Sequence, residues 1–505
     1  MAFLDLAVIF LYAAGVLWIG LKASAGSEGE GDPLLAGRNV PVWAVFASLV
    51  ATELSAATFI GVPQNAFVNL SWAYLQLAIG FLAAKWVLAK TLVPLYHDLG
   101  VSTVYGLIDW RFGRNARRGT AVTFIVGRVI ASGVRLYIAA LAFGVVTGFS
   151  IEVTIAICAL ISGLYAMRGG IRSVIWTDVL QGAVLLGAAL IVLGVLLWRI
   201  DGGWHALAEW IGDSGATRIF FIPGAGGVEG ERWSDLLTNA TLFPTALIGG
   251  FFLTLATHGT DHDMVQRLLT TRDGAGAGRA LVISGVANFP VTALFLLVGT
   301  GIACLWQLQP PSYEIGEAQT VFPLFVIHEI PVGLRGIVLA GLFAAAMSSL
   351  DSALCAISAT WTVDVREVPE GTGRTRSVRL GTGVLVFVLA LAACAFVWLE
   401  RSGWSPAGDL VSLALSSMTI VYGGLLGVFI CAAFLPRRGS GKSALAGLVT
   451  GAVIGFGLFL QKPILALFHV DEAVIAWPWW IVITSLISLG ICASATGSRE
   501  RKAPR

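Results

Sequence analysis

The 505-residue sequence predicts an all-α integral membrane protein with about thirteen transmembrane helices. Hydrophobic residues make up 57% of the chain and charged residues 12%, and the mean hydropathy is +0.83. A soluble domain of this length does not contain so many long apolar runs. The thirteen runs lie approximately at residues 3–21, 42–67, 72–95, 121–146, 151–167, 173–197, 242–256, 280–305, 333–359, 380–399, 410–435, 443–460 and 473–493.

The distribution of basic residues predicts the orientation of these helices. If the N-terminus lies outside, 22 of the 32 Lys and Arg residues fall on the inner side and 6 on the outer side. Cytoplasmic loops are enriched in Lys and Arg. We therefore expect a multi-pass protein of the cell inner membrane, with a periplasmic N-terminus and a cytoplasmic C-terminus. The first run carries Asp5 and lacks a basic leader, which favours a retained helix over a cleaved signal peptide.

The sequence excludes several classes of function. It has no phosphate-cradling loop and no long soluble domain, so we expect neither an enzyme nor a carrier powered by ATP hydrolysis. The expected partners are the lipid bilayer and a small-molecule substrate. Neither a nucleic acid nor an obligatory protein partner is implied. The six cysteines lie inside or at the edges of apolar runs, where small packing residues are expected.

Polar side chains interrupt the second apolar run. Glu53, Ser55 and Thr58 lie within about two helical turns. Hydroxyl side chains compete for backbone hydrogen bonds, which favours a break of the helix at membrane depth. A break frees carbonyl oxygens, and these are suitable ligands for a small hard cation such as Na⁺. An unbroken helix whose hydroxyls bond back to its own carbonyls is the alternative.

A second polar set interrupts the ninth run. Ala345, Ser348, Ser349 and Ser352 recur at three- and four-residue spacing, so they share one helix face. Two adjacent hydroxyls opposite freed carbonyls would form an oxygen-lined sodium site. The alternative is a face of small residues that serves helix packing.

Three charged residues within the apolar runs require partners. Asp178 and Asp351 are either ligands of a second cation or partners of nearby arginines. Arg135 lies in the middle of the fourth run, where a guanidinium needs an anion. That anion is either Glu53 or a carboxylate brought by the substrate, and the sequence leaves both open. Residues 258–263 (HGTDHD) contain metal-ligand residue types, but we expect a hydrophilic helix end near the cytoplasm.

Motifs along nearly the whole chain resemble the sodium:solute symporter family, which includes the sodium/glucose, sodium/proline and sodium/sialic acid carriers. The motifs are residues 48–61, GGIR at 169–172 with Asp178 and Gln181, GTD at 259–261 with VQR at 265–267, residues 339–364, and YGGLLG at 422–427. The resemblance implies a LeuT-type core of two inverted five-helix repeats at 42–198 and 241–436. An extra N-terminal helix and cytoplasmic loop (1–41) would precede them, a periplasmic loop (199–240) would separate them, and two C-terminal helices with a short cytoplasmic tail (437–505) would follow.

The resemblance also implies the sodium sites. The first would be built from the carbonyls of Ala51, Leu54 and Ala345 and the hydroxyls of Ser348 and Ser349. Some members of the family have a second sodium site near the inner face. Asp178 and Ser352 resemble its ligands, while Asp351 stands where the sialic acid branch has a hydroxyl.

For the substrate, Ser55, Thr58, Gln76 and Arg135 resemble the polar set of the sialic acid branch, in which arginine holds the carboxylate of the sugar acid. Glu53 departs from that pattern, because the relatives have a neutral polar residue there. We therefore expect a Na⁺-coupled symporter of sialic acid or another carboxylated solute. The alternatives are a neutral sugar or amino acid symporter, and a proton-coupled carrier that uses Glu53, Asp178 or Asp351. A channel or a membrane sensor is the alternative from another class.

Overall fold

The computed structural model describes residues 2–25, 34–166, 170–224, 231–369, 372–402, 409–466, 469 and 475–496. In these residues the chain is helical, apart from turns and an isolated bridge between Arg438 and Thr496. The helices are α1 (Phe3–Ala25), α2 (Val42–Glu53), α3 (Val62–Asn69), α4 (Leu75–Lys90), α5 (Leu92–Asp98), α6 (Gly106–Phe112), α7 (Arg114–Thr147), α8 (Ile151–Ala166), α9 (Ile171–Arg199), α10 (Gly203–Ser214), α11 (Phe243–Gly259), α12 (His262–Leu269), α13 (Gly274–Leu308), α14 (Val321–Glu329), α15 (Leu334–Thr360), α16 (Thr372–Arg401), α17 (Leu410–Phe434), α18 (Gly441–Phe459), α19 (Gln461–Ala466) and α20 (Trp477–Ser494).

The all-α membrane architecture that the sequence predicts is confirmed. In the described part of the chain, ten helices are long and apolar enough to cross a bilayer, and the bent pair of α2 and α3 makes eleven. The other two predicted spans correspond to α8, of 16 residues, and α11, of 17 residues. The count of thirteen therefore stays a prediction.

The most buried helices form the centre of the bundle. Helices α15 and α17 are buried along most of their length, whereas α1 and α16 keep most of their surface on the outside. Helix α15 packs against α9, α2 and α1. Its first turn is held by Asp5 of α1, whose Oδ1 accepts hydrogen bonds from the amides of Gly333 (2.8 Å) and Gly336 (3.0 Å). This carboxylate satisfies amides at a helix start that have no partner within their own helix.

Helices α4 and α11 approach each other closely through two glycines. A Cβ at Gly80 would lie 2.4 Å from the carbonyl oxygen of Leu247, and one at Gly250 would lie 2.8 Å from that of Leu77. Small residues allow membrane helices to pack backbone against backbone. The approach places the residues that follow on each helix, Lys85 on α4 and His258 on α11, near the same buried carboxylate.

Candidate functional site

Helix α2 ends at Glu53, in the middle of the second predicted span, and α3 begins at Val62 after a bend of 58°. The backbone leaves helical geometry at Leu54, where φ is −82° and ψ is 80°. The amide of Ser55 donates to the carbonyl of Glu53 (3.1 Å), and the amide of Thr58 donates to that of Ser55 (2.9 Å). Ala51 and Leu54 therefore lack the amide donor, four residues later, that a continuous helix would supply. The break that the sequence predicts is present.

Helix α15 brings a pair of hydroxyls to this break. The Ser348 hydroxyl lies 3.2 Å from the carbonyl oxygen of Ala51 and 3.4 Å from that of Ala345. The Ser349 hydroxyl lies 3.4 Å from the Ala345 carbonyl. Both serines are buried, with about 1% of their surface exposed. Neutral oxygens from two helices thus converge at membrane depth, a donor set that suits a hard monovalent cation.

A cavity of about 110 Å³ lies beside the break. Among the residues expected to contact substrate, Glu53, Ser55, Thr58 and Arg135 line it. Gln76 is not among the lining residues. Its side-chain amide donates to the carbonyl of Thr241 (2.8 Å), and its oxygen accepts from the amide of Phe221 (3.2 Å), so it holds the segment that leads into α11.

Arg135 enters the cavity from α7, and in the described part of the chain no carboxylate pairs with it. Its Nη2 lies 3.5 Å from the sulfur of Met418, a weak acceptor, and its Nη1 is buried without a hydrogen-bond partner. Enclosing part of a guanidinium without an anion is costly, which indicates that a ligand supplies the missing charge.

Glu53, the candidate fixed partner of Arg135, is bound by other groups. Lys85 Nζ lies 2.6 and 2.8 Å from its two carboxylate oxygens. Asn288 Nδ2 donates to Oε2 (3.0 Å), and His258 Nε2 lies 3.1 Å from Oε1. These three groups come from α4, α13 and α11, and all three line the cavity. The structure therefore pairs Glu53 with Lys85 and leaves Arg135 without a fixed anion.

Asp178, on α9, lies in a second buried network. Its Oδ2 accepts hydrogen bonds from Ser48 Oγ (2.5 Å) and Arg267 Nη2 (3.1 Å), while its Oδ1 is buried without a hydrogen-bond partner. The Ser352 hydroxyl donates to Asp263 Oδ2 (3.3 Å), and Arg267 Nη1 binds Asp263 Oδ1 (2.6 Å). The amide of Ser352 also donates to Asp351 Oδ1 (2.6 Å). The three residues predicted for a second cation are thus buried, and two of them contact the Arg267–Asp263 pair.

Comparison with known proteins identifies the family. The profile of the sodium:solute symporter family matches residues 34–451. The chain belongs to the sodium:solute symporter family. It is therefore a sodium-coupled symporter of a small molecule, a multi-pass membrane protein and not an enzyme, as the sequence predicts.

Several relatives of this symporter match over most of their length. It is 27% identical over 461 residues to the sodium/sialic acid symporter SiaT of Proteus mirabilis, covering 89% of this chain and 88% of the relative. It is 28% identical to the sodium/sialic acid symporter NanT of Aliivibrio fischeri, covering 88% of this chain and 86% of the relative. The sodium/glucose cotransporter of Vibrio parahaemolyticus is 26% identical, covering 97% of this chain and 91% of the relative.

Solved structures show the fold of the symporter. A substrate-bound, outward-open Na⁺-coupled sialic acid symporter superposes with a TM-score of 0.83 at 24% identity, covering 99% of both chains. The nucleobase-cation-symport-1 transporter Mhp1 superposes with a TM-score of 0.56 at 16% identity, covering 91% of this chain and 92% of that one. These are LeuT-fold transporters, so the predicted fold class is confirmed. The division into 1–41, 42–198, 199–240, 241–436 and 437–505 stays a prediction.

Residues 258–263 of the symporter differ from the expectation of a hydrophilic helix end. Asp261, His262 and Asp263 are buried, with at most 1% of their surface exposed. Asp261 caps α12 by accepting from the amide of Asp263 (2.8 Å). Arg128 pairs with both aspartates, through Nη1 to Asp261 Oδ2 (3.2 Å) and Nη2 to Asp263 Oδ2, and the Tyr422 hydroxyl donates to Asp261 (2.6 Å). The arginines compensate the acids and so permit their burial.

Sequence reasoning did not assign three of the groups that line the cavity: Lys85, His258 and Asn288. Lys85 is the strongest missed signal, because an intramembrane lysine must face a bundle interior and find a counter-charge. The preceding apolar run, 42–67, holds the acid Glu53. His258 and Asn288 carry no comparable signal, since neutral polar side chains are common where membrane helices pack.

Proposed function

We propose that the symporter carries a carboxylated solute, with sialic acid as the first candidate, and that Arg135 holds its carboxylate. The observation that carries the proposal is the Arg135 guanidinium, which faces the cavity with Nη1 buried and without a partner. Two relatives that match most of the chain are sodium/sialic acid symporters, which supports the same substrate class.

The chemistry of the cavity supports an anion over a neutral sugar. A guanidinium binds a carboxylate through two parallel charge-assisted hydrogen bonds. A neutral sugar would leave the Arg135 charge uncompensated in a buried site, which is unfavourable. Ser55, Thr58, Asn288 and Thr292 also line the cavity and are suitable partners for hydroxyl groups of the solute. Neutral sugars therefore remain the second candidate.

The volume of the cavity supports transport by alternating access. At about 110 Å³ it is smaller than the roughly 300–1,000 Å³ typical of small-molecule sites. Helices that line it must separate for a nine-carbon sugar acid to enter. The bent junction between α2 and α3 is suited to such a movement, since its amides and carbonyls are released from a continuous helical ladder.

For the coupling ion, the proposal assigns the first sodium site to the carbonyls of Ala51, Leu54 and Ala345 and the hydroxyls of Ser348 and Ser349. The convergence of the Ala51 carbonyl and the Ser348 hydroxyl across two helices supports it.

The proposal assigns a second sodium site to Asp178, Asp351 and Ser352. The unpartnered Oδ1 of buried Asp178 supports that assignment, because a buried carboxylate oxygen needs a donor or a cation.

Ser348→Ala is expected to raise the Na⁺ concentration needed for half-maximal uptake at least about tenfold, because it removes a ligand oxygen worth about 1.5–3 kcal/mol to a charged partner. Sodium titration of uptake measures the change. Ser417→Ala is the matched control, since the Ser417 hydroxyl is equally buried but donates to Ala414 in its own helix (2.8 Å). Unchanged sodium affinity in Ser348→Ala would show that the assigned site is wrong.

The proposal places the symporter in the inner membrane with its N-terminus periplasmic and its C-terminus cytoplasmic, on the strength of the basic residues in alternate loops. A green fluorescent protein fused after Arg505 is expected to fluoresce, because this reporter does not fold after export. An alkaline phosphatase fused at the same point is expected to be inactive. The reverse pattern would contradict the orientation.

Uptake of labelled N-acetylneuraminate into proteoliposomes tests the proposed substrate. We expect accumulation with an inward Na⁺ gradient and none when K⁺ replaces Na⁺ or when the vesicles lack protein. A passive pore would instead show uptake that neither saturates nor depends on Na⁺. Absence of uptake under a Na⁺ gradient would remove sialic acid as the substrate, and hexuronates and monocarboxylates would be compared next.

A further inference from the structure

Glu53 and Lys85 form an ion pair that faces the solute cavity. Four helices meet there, because Glu53 lies at the end of α2 and its three partners lie on α4, α11 and α13. Lys85 Nζ makes a third contact with Ser284 Oγ (3.0 Å). All three ammonium hydrogens therefore have acceptors, two on Glu53 and one on α13.

The pair differs in exposure from the Arg128–Asp261 pair. The side chain of Glu53 keeps 12% of its surface exposed and that of Lys85 keeps 1%, whereas Arg128 and Asp261 have none exposed. Glu53, Lys85 and His258 all line the cavity. The Glu53–Lys85 pair is thus within reach of a solute through Glu53, and the Arg128–Asp261 pair is enclosed by protein.

The charges of the cavity lining do not cancel. The ionic side chains are Glu53, Lys85 and Arg135, two cations and one anion. His258 is counted as neutral: its Nε2 lies 3.1 Å from Glu53 Oε1, and its Nδ1 lies 3.0 Å from Thr257 Oγ1, a hydroxyl that also has the Leu253 carbonyl as an acceptor at 2.9 Å. Because Lys85 neutralises Glu53, Arg135 is, among the described residues, the one ionic residue of the lining without an ion-pair partner. Asp261 and Asp263 act on it from behind the lining, but they are paired with Arg128 and Arg267, so a charge remains for the solute to balance.

We propose that the mutual compensation of Glu53 and Lys85 restricts the solute to monoanions, with one carboxylate for Arg135 and neutral hydroxyl or amide groups elsewhere. The inference rests on the proposed function, in which Arg135 binds the carboxylate. A second carboxylate would find the Lys85 charge already compensated. An ammonium group would compete with Lys85 for Glu53 and be repelled by both cations. A hydroxyl or amide can bond to the pair without disturbing its charge.

The test compares solutes that differ in charge but not in framework. The first series is N-acetylneuraminate, its methyl ester, its 9-amino-9-deoxy derivative and its 9-carboxylate, which are a monoanion, a neutral molecule, a zwitterion and a dianion. The second is gluconate, gluconamide, 2-amino-2-deoxygluconate and glucarate, in the same order of charge. Dissociation constants are measured in the presence of Na⁺ by thermal stabilisation of the purified full-length protein. The proteins are wild type, Glu53→Gln, Lys85→Met, the double variant Glu53→Gln/Lys85→Met, and Arg135→Ala.

In wild type the monoanion of at least one series is expected to bind at least about tenfold more tightly than its neutral, zwitterionic and dianionic counterparts, since one unpaired charge in a low-dielectric site is worth that much. Glu53→Gln is expected to move the preference toward the dianion, and Lys85→Met toward the neutral and zwitterionic members. The double variant removes both charges together, so its preference is expected to return to the monoanion.

Two results would overturn the inference. One is wild-type protein that binds a dianion or a zwitterion as tightly as the monoanion, a result that does not depend on whether the single variants fold. The other is an unchanged charge preference in single variants that are folded. Failure of the proposed function gives a different pattern of results from failure of this inference. If Arg135→Ala binds the monoanion as tightly as wild type while the position 53 and 85 variants shift the preference, the Arg135 anchor is wrong. If Arg135→Ala no longer binds the monoanion and the position 53 and 85 variants keep the wild-type charge preference, the inference alone is wrong.

Discussion

Arg135→Ala is expected to abolish sodium-driven uptake of the carboxylated solute. Its guanidinium is the one cavity cation without a carboxylate partner among the described residues. Charge-assisted hydrogen bonds contribute about 1.5–3 kcal/mol each, so losing a bidentate pair should weaken solute binding about 100-fold or more. Uptake kinetics in proteoliposomes and solute titration of the purified protein both measure the loss.

The stability of the same variant separates binding from folding. Because Arg135 has no fixed anion, its removal should leave the solute-free melting temperature unchanged or higher. Arg135→Lys keeps the positive charge but not the forked pair of donors. Its solute binding and uptake are expected to lie between those of wild type and Arg135→Ala. Arg401→Ala removes an exposed guanidinium and serves as the control for uptake. Full uptake by Arg135→Ala would exclude this residue as the carboxylate anchor.

Arg128→Met is expected to destabilise the fold by about 3–5 kcal/mol, because it leaves buried Asp261 without a cation and removes one of the two arginines that pair with Asp263. Arg128 is fully buried and pairs with Asp261 and Asp263, which belong to the junction between α11 and α12. Thermal and denaturant unfolding of the purified protein, without solute, measure the change.

Arg401→Met is the matched control for that experiment. Arg401 pairs with Glu152 at 2.6 Å, but the two side chains are 65% and 42% exposed. Exposed ion pairs contribute about 0–1 kcal/mol, so we expect no measurable shift. Equal melting temperatures of Arg128→Met and wild type would contradict the view that the Arg128 network holds this junction together.

The parts of the fold that follow from local composition could be predicted from the sequence. Each predicted span corresponds to a helix or, for the second, to a broken pair, because length and hydropathy determine what can cross a bilayer. The break after Glu53 was predicted from Ser55 and Thr58, whose hydroxyls favour non-helical hydrogen bonding.

What depends on tertiary pairing could not be predicted. Nothing in the sequence states that Lys85 reaches Glu53, because that contact depends on the packing of both α2 and α4 against α13. Residues 258–263 are hydrophilic enough to predict exposure to solvent. They are buried because Arg128, from a distant part of the chain, compensates the charges of the two aspartates. Gln76 has the residue type of a substrate ligand, and backbone groups at 221 and 241 occupy its amide.

The Glu53–Lys85 contact also constrains how this carrier could have evolved. Acquiring either charge alone would bury an uncompensated ion at a cost of about 3–5 kcal/mol, a large part of the 5–15 kcal/mol that holds a typical protein folded. Ancestors that passed through such an intermediate would have been selected against. Positions 53 and 85 should therefore change together across descendants of a common ancestor, with both charges present or both absent. Such a paired change would leave the preference for a monoanion intact, as expected for the double variant.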